Sequence, residues 1–254
     1  MDVKPKKYLG QHFLLDDSVS QKISNYFLIE KNLNLLEIGP GTGALTKFLI
    51  KENIHLKTYE VDQESIKYLK LNFPNLKVYN QDILSINWTT LFDSNFSVTG
   101  NFPYNISSQI LFKIYESRDR VDQMVGMFQR EVAQRICSGP GTKKYGILSV
   151  LIQAFYEVEY LFTVNEDAFN PPPKVKSGVI KIRRNNIKKL DCNEKLFFKV
   201  VKAVFNQRRK MARNSLKAMM GNHKIDHILL TKRPEQLSVT NFIELTMLLE
   251  SKIM

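Results

Sequence analysis

Leu33–Ile38 is an apolar run that stops at Gly39-Pro40-Gly41-Thr42-Gly43, and residues 44–51 continue with Leu45, Phe48 and Leu49 on one helical face. A strand that restarts as a helix after so short a turn needs glycine there. The missing Cβ allows the turn and lets a ligand come close to the backbone. Glu60 follows Gly39 by 21 residues, at the end of the next strand candidate, 55–61. A carboxylate in that place accepts both hydroxyls of a ribose. The unit reads as a binding site for an adenine nucleoside. Gly39, Gly41 and Ala44 also satisfy the relaxed dinucleotide pattern G-x-G-x-x-G/A, so a nicotinamide cofactor stays open at this point, as does a tight turn without a ligand.

The same alternation continues. A helix is predicted over 63–71, with further strands over 77–80, 96–99 and 124–128, the last running into an amphipathic helix through Ile136. Residues 148–164 and 177–182 read as two longer β-like stretches that could pair. Strand and helix in alternation predict an α/β fold with a doubly wound, mostly parallel sheet. Pro171-Pro172-Pro173 interrupts any regular element, and composition shifts again at Arg183-Arg184-Asn185-Asn186. Beyond it Phe197, Val201, Val204 and Phe205 form one helical face, which Leu216 and Met220 could extend, and Phe242, Leu245 and Leu249 form another. Two domains are expected, 1–186 and a small all-α domain over 187–254.

The chain has 254 residues and a formal net charge of +12, but the charge is not spread evenly. Residues 171–217 carry 15 Lys and Arg against 2 acidic residues, whereas residues 1–170 carry 18 against 19. A concentrated basic block points to a polyanion, either nucleic acid or an anionic membrane face. Arg209, Arg213 and Lys217 recur every four residues, which predicts one cationic stripe on the helix that carries Val201 and Phe205, with Arg208 and Lys210 beside it. No apolar run approaches the roughly 20 residues of a membrane span, and the stretch from Met1 to Lys7 lacks the apolar region of a secretory signal. Cys137 and Cys192 are too few for a disulfide framework or a CxxC metal site. A reduced, cytoplasmic setting is expected. His223 and His227 read as surface residues rather than metal ligands.

Asp82, after the third strand of the series, is placed to accept from an adenine amino group or simply to cap a helix. Asn101-Phe102-Pro103-Tyr104 follows the next strand, at the sheet edge where doubly wound folds put their chemistry. The exocyclic amine of a nucleobase is a poor nucleophile, because its lone pair is delocalised into the ring. An Asn side-chain carbonyl and a neighbouring backbone carbonyl can accept both N–H bonds and leave the lone pair free. Pro103 stiffens the turn, and Tyr104 offers a face for an extruded base. Without the nucleoside-binding unit before it, the tetrapeptide would read equally well as an Asx-turn with a buried tyrosine.

With these motifs in view, the chain closely resembles the KsgA-type small-subunit ribosomal RNA adenine dimethyltransferases. The resemblance runs through Leu9-Gly10-Gln11-His12-Phe13-Leu14, the loop 37–43, Gln81-Asp82-Ile83-Leu84, residues 100–107, Phe169-Asn170-Pro171-Pro172-Pro173-Lys174-Val175 and Phe205-Asn206-Gln207-Arg208-Arg209-Lys210. It implies a Rossmann-like S-adenosylmethionine-dependent methyltransferase domain and direct methyl transfer, with no metal required. By motif position, His12 and Leu14 would form a clasp over the methionine side of the cofactor. Gly39 and Gly41 would lie along it, Glu60 on its ribose and Asp82 on its adenine. Asn101 would touch both cofactor and target amine, and Tyr104 and Phe169 would sandwich the target adenine. Arg208, Arg209, Lys210, Arg213 and Lys217 would hold RNA. The implied substrate is two adjacent adenines in the 3′-terminal hairpin of 16S RNA within the immature 30S subunit, with the enzyme taken as a monomer that has no membrane role. His12 stands where many members have Asn, and Phe102 where Leu or Ile is commoner.

Overall fold

The computed structural model describes residues 3–27 and 32–253. It forms two compact units, Met1–Ala133 with Val158–Arg184, and Gln134–Glu157 with Asn185–Met254. The second unit takes in residues 134–157 as well as 185–254, whereas the sequence pattern places 134–157 in the first domain, 1–186. The division is discontinuous because residues 147–153 form an apolar helix that packs on the helices of the tail.

In the first unit β1 (Phe13–Leu14) and α1 (Asp17–Ser24) precede β2 (Leu33–Ile38), α2 (Thr46–Leu49), β3 (Ile54–Tyr59), α3 (Gln63–Asn72) and β4 (Lys77–Tyr79). There follow β5 (Phe96–Asn101), α4 (Ser107–Glu116), β6 (Val121–Gln129) and α5 (Arg130–Ile136), the last running across the boundary between the units. After α6 (Ile147–Gln153) come β7 (Tyr156–Val164), β8 (Phe169–Asn170) and β9 (Ser177–Arg184). Seven strands make one sheet in the order β4-β3-β2-β5-β6-β9-β7. The pairs from β4 to β6 are parallel, and β9 runs antiparallel to β6. β2 buries every residue except Asn34, the near-continuous burial of a strand covered on both faces. The parallel registers align Ile38 with Tyr59, Tyr59 with Tyr79, and Glu37 with Thr99. The loops after β2, β3, β4 and β5 consequently leave from one edge, the carboxyl edge where ligands of such sheets bind.

Three expectations need correction. The helix expected over 44–51 shrinks to Thr46–Leu49, because residues 41–45 are taken up by turns and Ile50 is extended (φ −73°, ψ 91°). The first part of the β-like stretch 148–164 is α6: Leu148, Val150, Leu151 and Ile152 are all buried, a helix apolar on several sides that periodicity cannot tell from a strand. The pairing of the remainder holds, since β7 and β9 are sheet neighbours.

The third correction falls in the second unit, which contains α7 (Glu194–Asn206), α8 (Ala212–Met220) and α9 (Val239–Ile253). Phe197, Val200, Val201, Val204 and Phe205 are the buried face of α7, against α6 and α9. Leu216 and Met220 do not extend that helix. It ends at Gln207 (φ −117°, ψ 52°), and the Lys210 N–H closes a turn on the Gln207 carbonyl at 2.8 Å. Met211 is extended, and the Ala212 N–H at the start of α8 donates to the Lys232 carbonyl at 2.8 Å. Docking of α8 beside residues 228–231 overrides a helical pattern that would have been in phase throughout. None of the described helices is long and apolar enough to cross a membrane.

Candidate active site at the carboxyl edge of the sheet

A cavity of about 230 Å³ opens at this edge, lined by the glycine turn, the end of β3, residues 81–84 in the loop after β4, residues 101–106 and residues 9–14. Gly41 shows why the turn is glycine-rich. Its φ is +55°, a left-handed conformation, and a Cβ on it would stand 3.0 Å from the Phe13 ring. Its N–H donates to Glu60 Oε2 at 3.1 Å. Glu60 Oε1 accepts from the backbone N–H groups of Val61 and Asp62, at 2.8 and 2.9 Å. Three backbone donors thus fix a buried carboxylate at the cavity wall. Burial pushes its pKa up, and those three bonds pull against the rise.

Asp82 lies at the cavity mouth and is exposed. Its Oδ1 accepts from Leu84 N–H at 2.9 Å, which makes an Asx-turn and not a helix cap, because residues 83–85 are turns and no helix begins there. Glu37 also lines the cavity, yet only 1% of it is exposed. Its Oε2 accepts from Thr46 Oγ1 at 2.8 Å. Burial first, and then the charge of Glu60, push its pKa up to about 8 against the pull of Thr46. Motif reasoning misses Glu37, although the sequence carries a signal for it: an acid inside a mostly apolar strand.

Asn101 ends β5 and donates its Nδ2 to the His12 carbonyl at 2.8 Å. The His12 ring stacks on Tyr104, with centroids 5.5 Å apart, and its Nδ1 bonds the Pro171 carbonyl at 2.7 Å. The Tyr104 hydroxyl bonds Ser177 Oγ at 2.6 Å, and burial raises its pKa. Fixed at its hydroxyl end, the Tyr104 ring forms part of the cavity wall. Leu14 lines the cavity and is buried as well.

Phe169 is the exception among the expected site residues. It pairs with Leu14 where β1 and β8 run antiparallel, is 3% exposed, and packs in the core with Val125, Met127, Val164 and Val179. It is not among the residues that line this cavity. The cationic stripe also changes. Arg209 and Lys210 are exposed on the turn between α7 and α8, not on α7, while Arg213 and Lys217 are exposed on α8 opposite buried Ala212 and Leu216. Arg208 is half-buried and donates to the Thr142 carbonyl at 3.3 Å. His227 bonds Leu229 N–H and lies 3.3 Å from Glu244.

The cavity wall includes the carboxyl groups of Glu37, Glu60 and Asp82, and no Lys or Arg is among its described residues. Such a wall suits a cationic nucleoside better than a dinucleotide pyrophosphate, and it fits S-adenosylmethionine, whose sulfonium supplies an electrophilic methyl group. With the last strand inserted antiparallel between β6 and β7, the fold and this site define a Rossmann-like S-adenosylmethionine-dependent methyltransferase. The model of the ribosomal RNA adenine dimethylase family matches residues 3–251. The chain belongs to that family, is an S-adenosylmethionine-dependent enzyme and dimethylates adenine in ribosomal RNA. It is 55% identical over 249 residues to ribosomal RNA small subunit methyltransferase A of Bacteroides thetaiotaomicron, covering 96% of this chain and 93% of that one. Against the protein of the same name from Parabacteroides distasonis the identity is 53% over 250 residues, covering 97% and 94%. Among solved structures, a dimethyladenosine transferase from Plasmodium falciparum superposes with a TM-score of 0.77 at 26% identity, covering 95% of this chain and 98% of that one.

Proposed function

We propose that the enzyme methylates the N6 amines of two adjacent adenines in the 3′-terminal hairpin of 16S ribosomal RNA. It would act as a cytoplasmic monomer on the immature 30S subunit. The observation that carries the base chemistry is the bond from Asn101 Nδ2 to the His12 carbonyl. With its amide N–H so engaged, Asn101 has Oδ1 left as an acceptor for an N–H of the target amine. A second N–H would go to a backbone carbonyl of the following turn, and the amine lone pair would be free to attack. Tyr104 supplies the stacking face. Gly39 and Gly41 run along the cofactor, Glu60 takes its ribose, Asp82 its adenine, and His12 and Leu14 close over it. The test is methyl transfer to small subunits from cells that lack this modification, read by mass spectrometry of the RNA. Dimethyladenine at two neighbouring positions near the 3′ end is expected, and incorporation elsewhere would refute the assignment.

The RNA is held by Arg208, Arg209, Lys210, Arg213 and Lys217. Exposed cations at the α7–α8 turn and along α8 track phosphates without reading bases. Arg213→Ala with Lys217→Ala is expected to weaken subunit binding and to flatten the plot of log K against log salt by about 1 to 2 in slope. Binding titrations at several salt concentrations measure it. An unchanged slope would remove α8 from the RNA contact.

A further inference from the structure

Phe102 lies between the amine acceptor Asn101 and the stacking face Tyr104, and takes no part in either role. It is 1% exposed, although it belongs to the cavity wall. Its ring goes to a place that the strands leave clear. Gly100 in β5 and Gly126 in β6 are register partners and so stand on one face of the sheet. The Phe102 ring folds back over this pair. A Cβ on Gly126 would overlap Phe102 Cε2 and stand 2.8 Å from its Cζ, and a Cβ on Gly100 would stand 2.8 Å from its Cε1. Two paired glycines thus make a notch without Cβ atoms, the close approach that glycine inside a strand allows. Phe128 packs on the seated ring, with centroids 5.0 Å apart.

The seat controls the backbone on either side of it. The Phe102 N–H donates to the Met127 carbonyl at 3.2 Å, so main chain and ring are both held on β6. Beyond Pro103, the Tyr104 hydroxyl is held by Ser177 at the start of β9. The directions of Asn101 and Tyr104 are therefore set from the sheet. The two glycines are not equivalent. A Cβ on Gly100 would also lie 2.6 Å from the Ile38 carbonyl, a backbone atom that cannot give way. At Gly126 the atoms in the way are Phe102 Cε2 and Cζ, which leucine lacks, and then Met124 Sδ at 3.1 Å, in a flexible side chain. The Phe102 ring is what demands glycine at 126.

We propose that Phe102 is a positioning residue for methyl transfer: its ring, seated in the Gly100–Gly126 notch, sets the line on which Asn101 and Tyr104 meet the target adenine, and it matters most for the second methyl group. The inference rests on the roles of Asn101 and Tyr104 given above. Each transfer moves a methyl group from the sulfonium to N6 and releases one N–H proton to water. The first transfer begins with two N–H groups on two acceptors. The second begins with one, so the monomethylated amine is aimed by a single hydrogen bond. A displaced turn consequently costs the second transfer more than the first.

The test follows monomethyladenine and dimethyladenine over time by mass spectrometry of small-subunit RNA, with S-adenosylhomocysteine affinity as the check on the fold. Phe102→Leu is expected to lower the ratio of the second transfer rate to the first about tenfold, so that monomethyladenine accumulates. Gly126→Ala, which unseats the ring, should slow both transfers about 100-fold. Phe102→Leu/Gly126→Ala should recover about tenfold over Gly126→Ala, because the overlapping atoms are gone. A merely structural defect would leave fewer active molecules and an unchanged ratio of the two rates. A wild-type ratio in Phe102→Leu overturns the proposal, as does a double variant no better than Gly126→Ala. If Gly126→Ala does not fold, the ratio in Phe102→Leu alone decides. That ratio is read at whichever adenines carry methyl groups, so it does not depend on the 16S assignment. Asn101→Ala, which loses transfer whatever stands at 102, tests the underlying role of Asn101 separately.

Discussion

Replacing Asn101 with alanine is expected to lower the rate of methyl transfer about 100–1,000-fold, the loss typical when one aligned polar group is removed from a reacting centre. Two of its contributions disappear together. Oδ1 no longer accepts from the target amine, so the lone pair of that nitrogen returns to conjugation with the ring. Nδ2 no longer donates to the His12 carbonyl, so residues 6–14 lose their anchor at the base end. Binding of S-adenosylhomocysteine should change much less, because the Glu60 carboxylate is fixed by Gly41, Val61 and Asp62 and not by Asn101. Single-turnover transfer to unmethylated small subunits, alongside calorimetric titration of S-adenosylhomocysteine, separates the two effects. Asn101→Asp is a useful companion. It keeps the acceptor but turns the donor into an anion facing a carbonyl oxygen, so it too should be nearly inactive. Transfer within a few-fold of wild type by Asn101→Ala would remove Asn101 from the chemistry, and the same result for Asn101→Asp would remove the Nδ2 donor role alone.

What could be read from the sequence follows the range of the interactions. Leu33–Ile38, the glycine turn and Glu60 were legible because one strand and one turn carry their own signals: a buried run, residues that tolerate positive φ, and an acid at a fixed distance. Asn101 and Tyr104 were legible as a motif at the end of a strand. The contacts of residues 6–14 were not. Lys6 meets Asp62 across 56 positions and His12 meets Pro171 across 159, and neither pair leaves any local pattern. β1 and β8 are two residues long, too short for a period of two to register. The same gap hides the pairing of Phe169 with Leu14, which buries its ring beside Val125 and Met127. At Asn206 the apolar phase continued correctly into α8. The helix ends there in a turn closed by Lys210 on Gln207, and α8 docks beside the distant residues 228–232, which puts Arg209 off α7.

Glu37→Gln is expected to stabilise the free enzyme increasingly as pH rises from about 5 to about 8. Glu37 lies in the central strand β2 with 1% exposure, and burial raises its pKa from 4.5 to about 8. Below pH 4.5 the acid is protonated in both folded and unfolded chains and costs nothing. Between 4.5 and 8 the unfolded chain ionises while the folded one keeps its proton, so the folded state binds more protons and stability falls as pH rises. Above about 8 the penalty levels off. Each tenfold difference in proton affinity between the folded and unfolded chain is worth about 1.4 kcal/mol, so the full penalty reaches several kcal/mol. Glutamine has nearly the same shape, accepts from Thr46 Oγ1 as the acid does, and does not titrate. Thermal unfolding of both proteins at about pH 5, 7 and 9, spanning the range in which the acid ionises, should show Tm curves that diverge with pH. Parallel curves would mean that Glu37 is ionised in the fold. The same buried acid should make cofactor binding pH-dependent. A sulfonium and an ammonium brought into the cavity that Glu37 lines favour its ionised form, so binding should release a fraction of a proton near neutral pH. Titration calorimetry in two buffers of different ionisation enthalpy measures that release. It should fall in Glu37→Gln, with what remains coming from Glu60, whose pKa burial also raises against its three backbone donors.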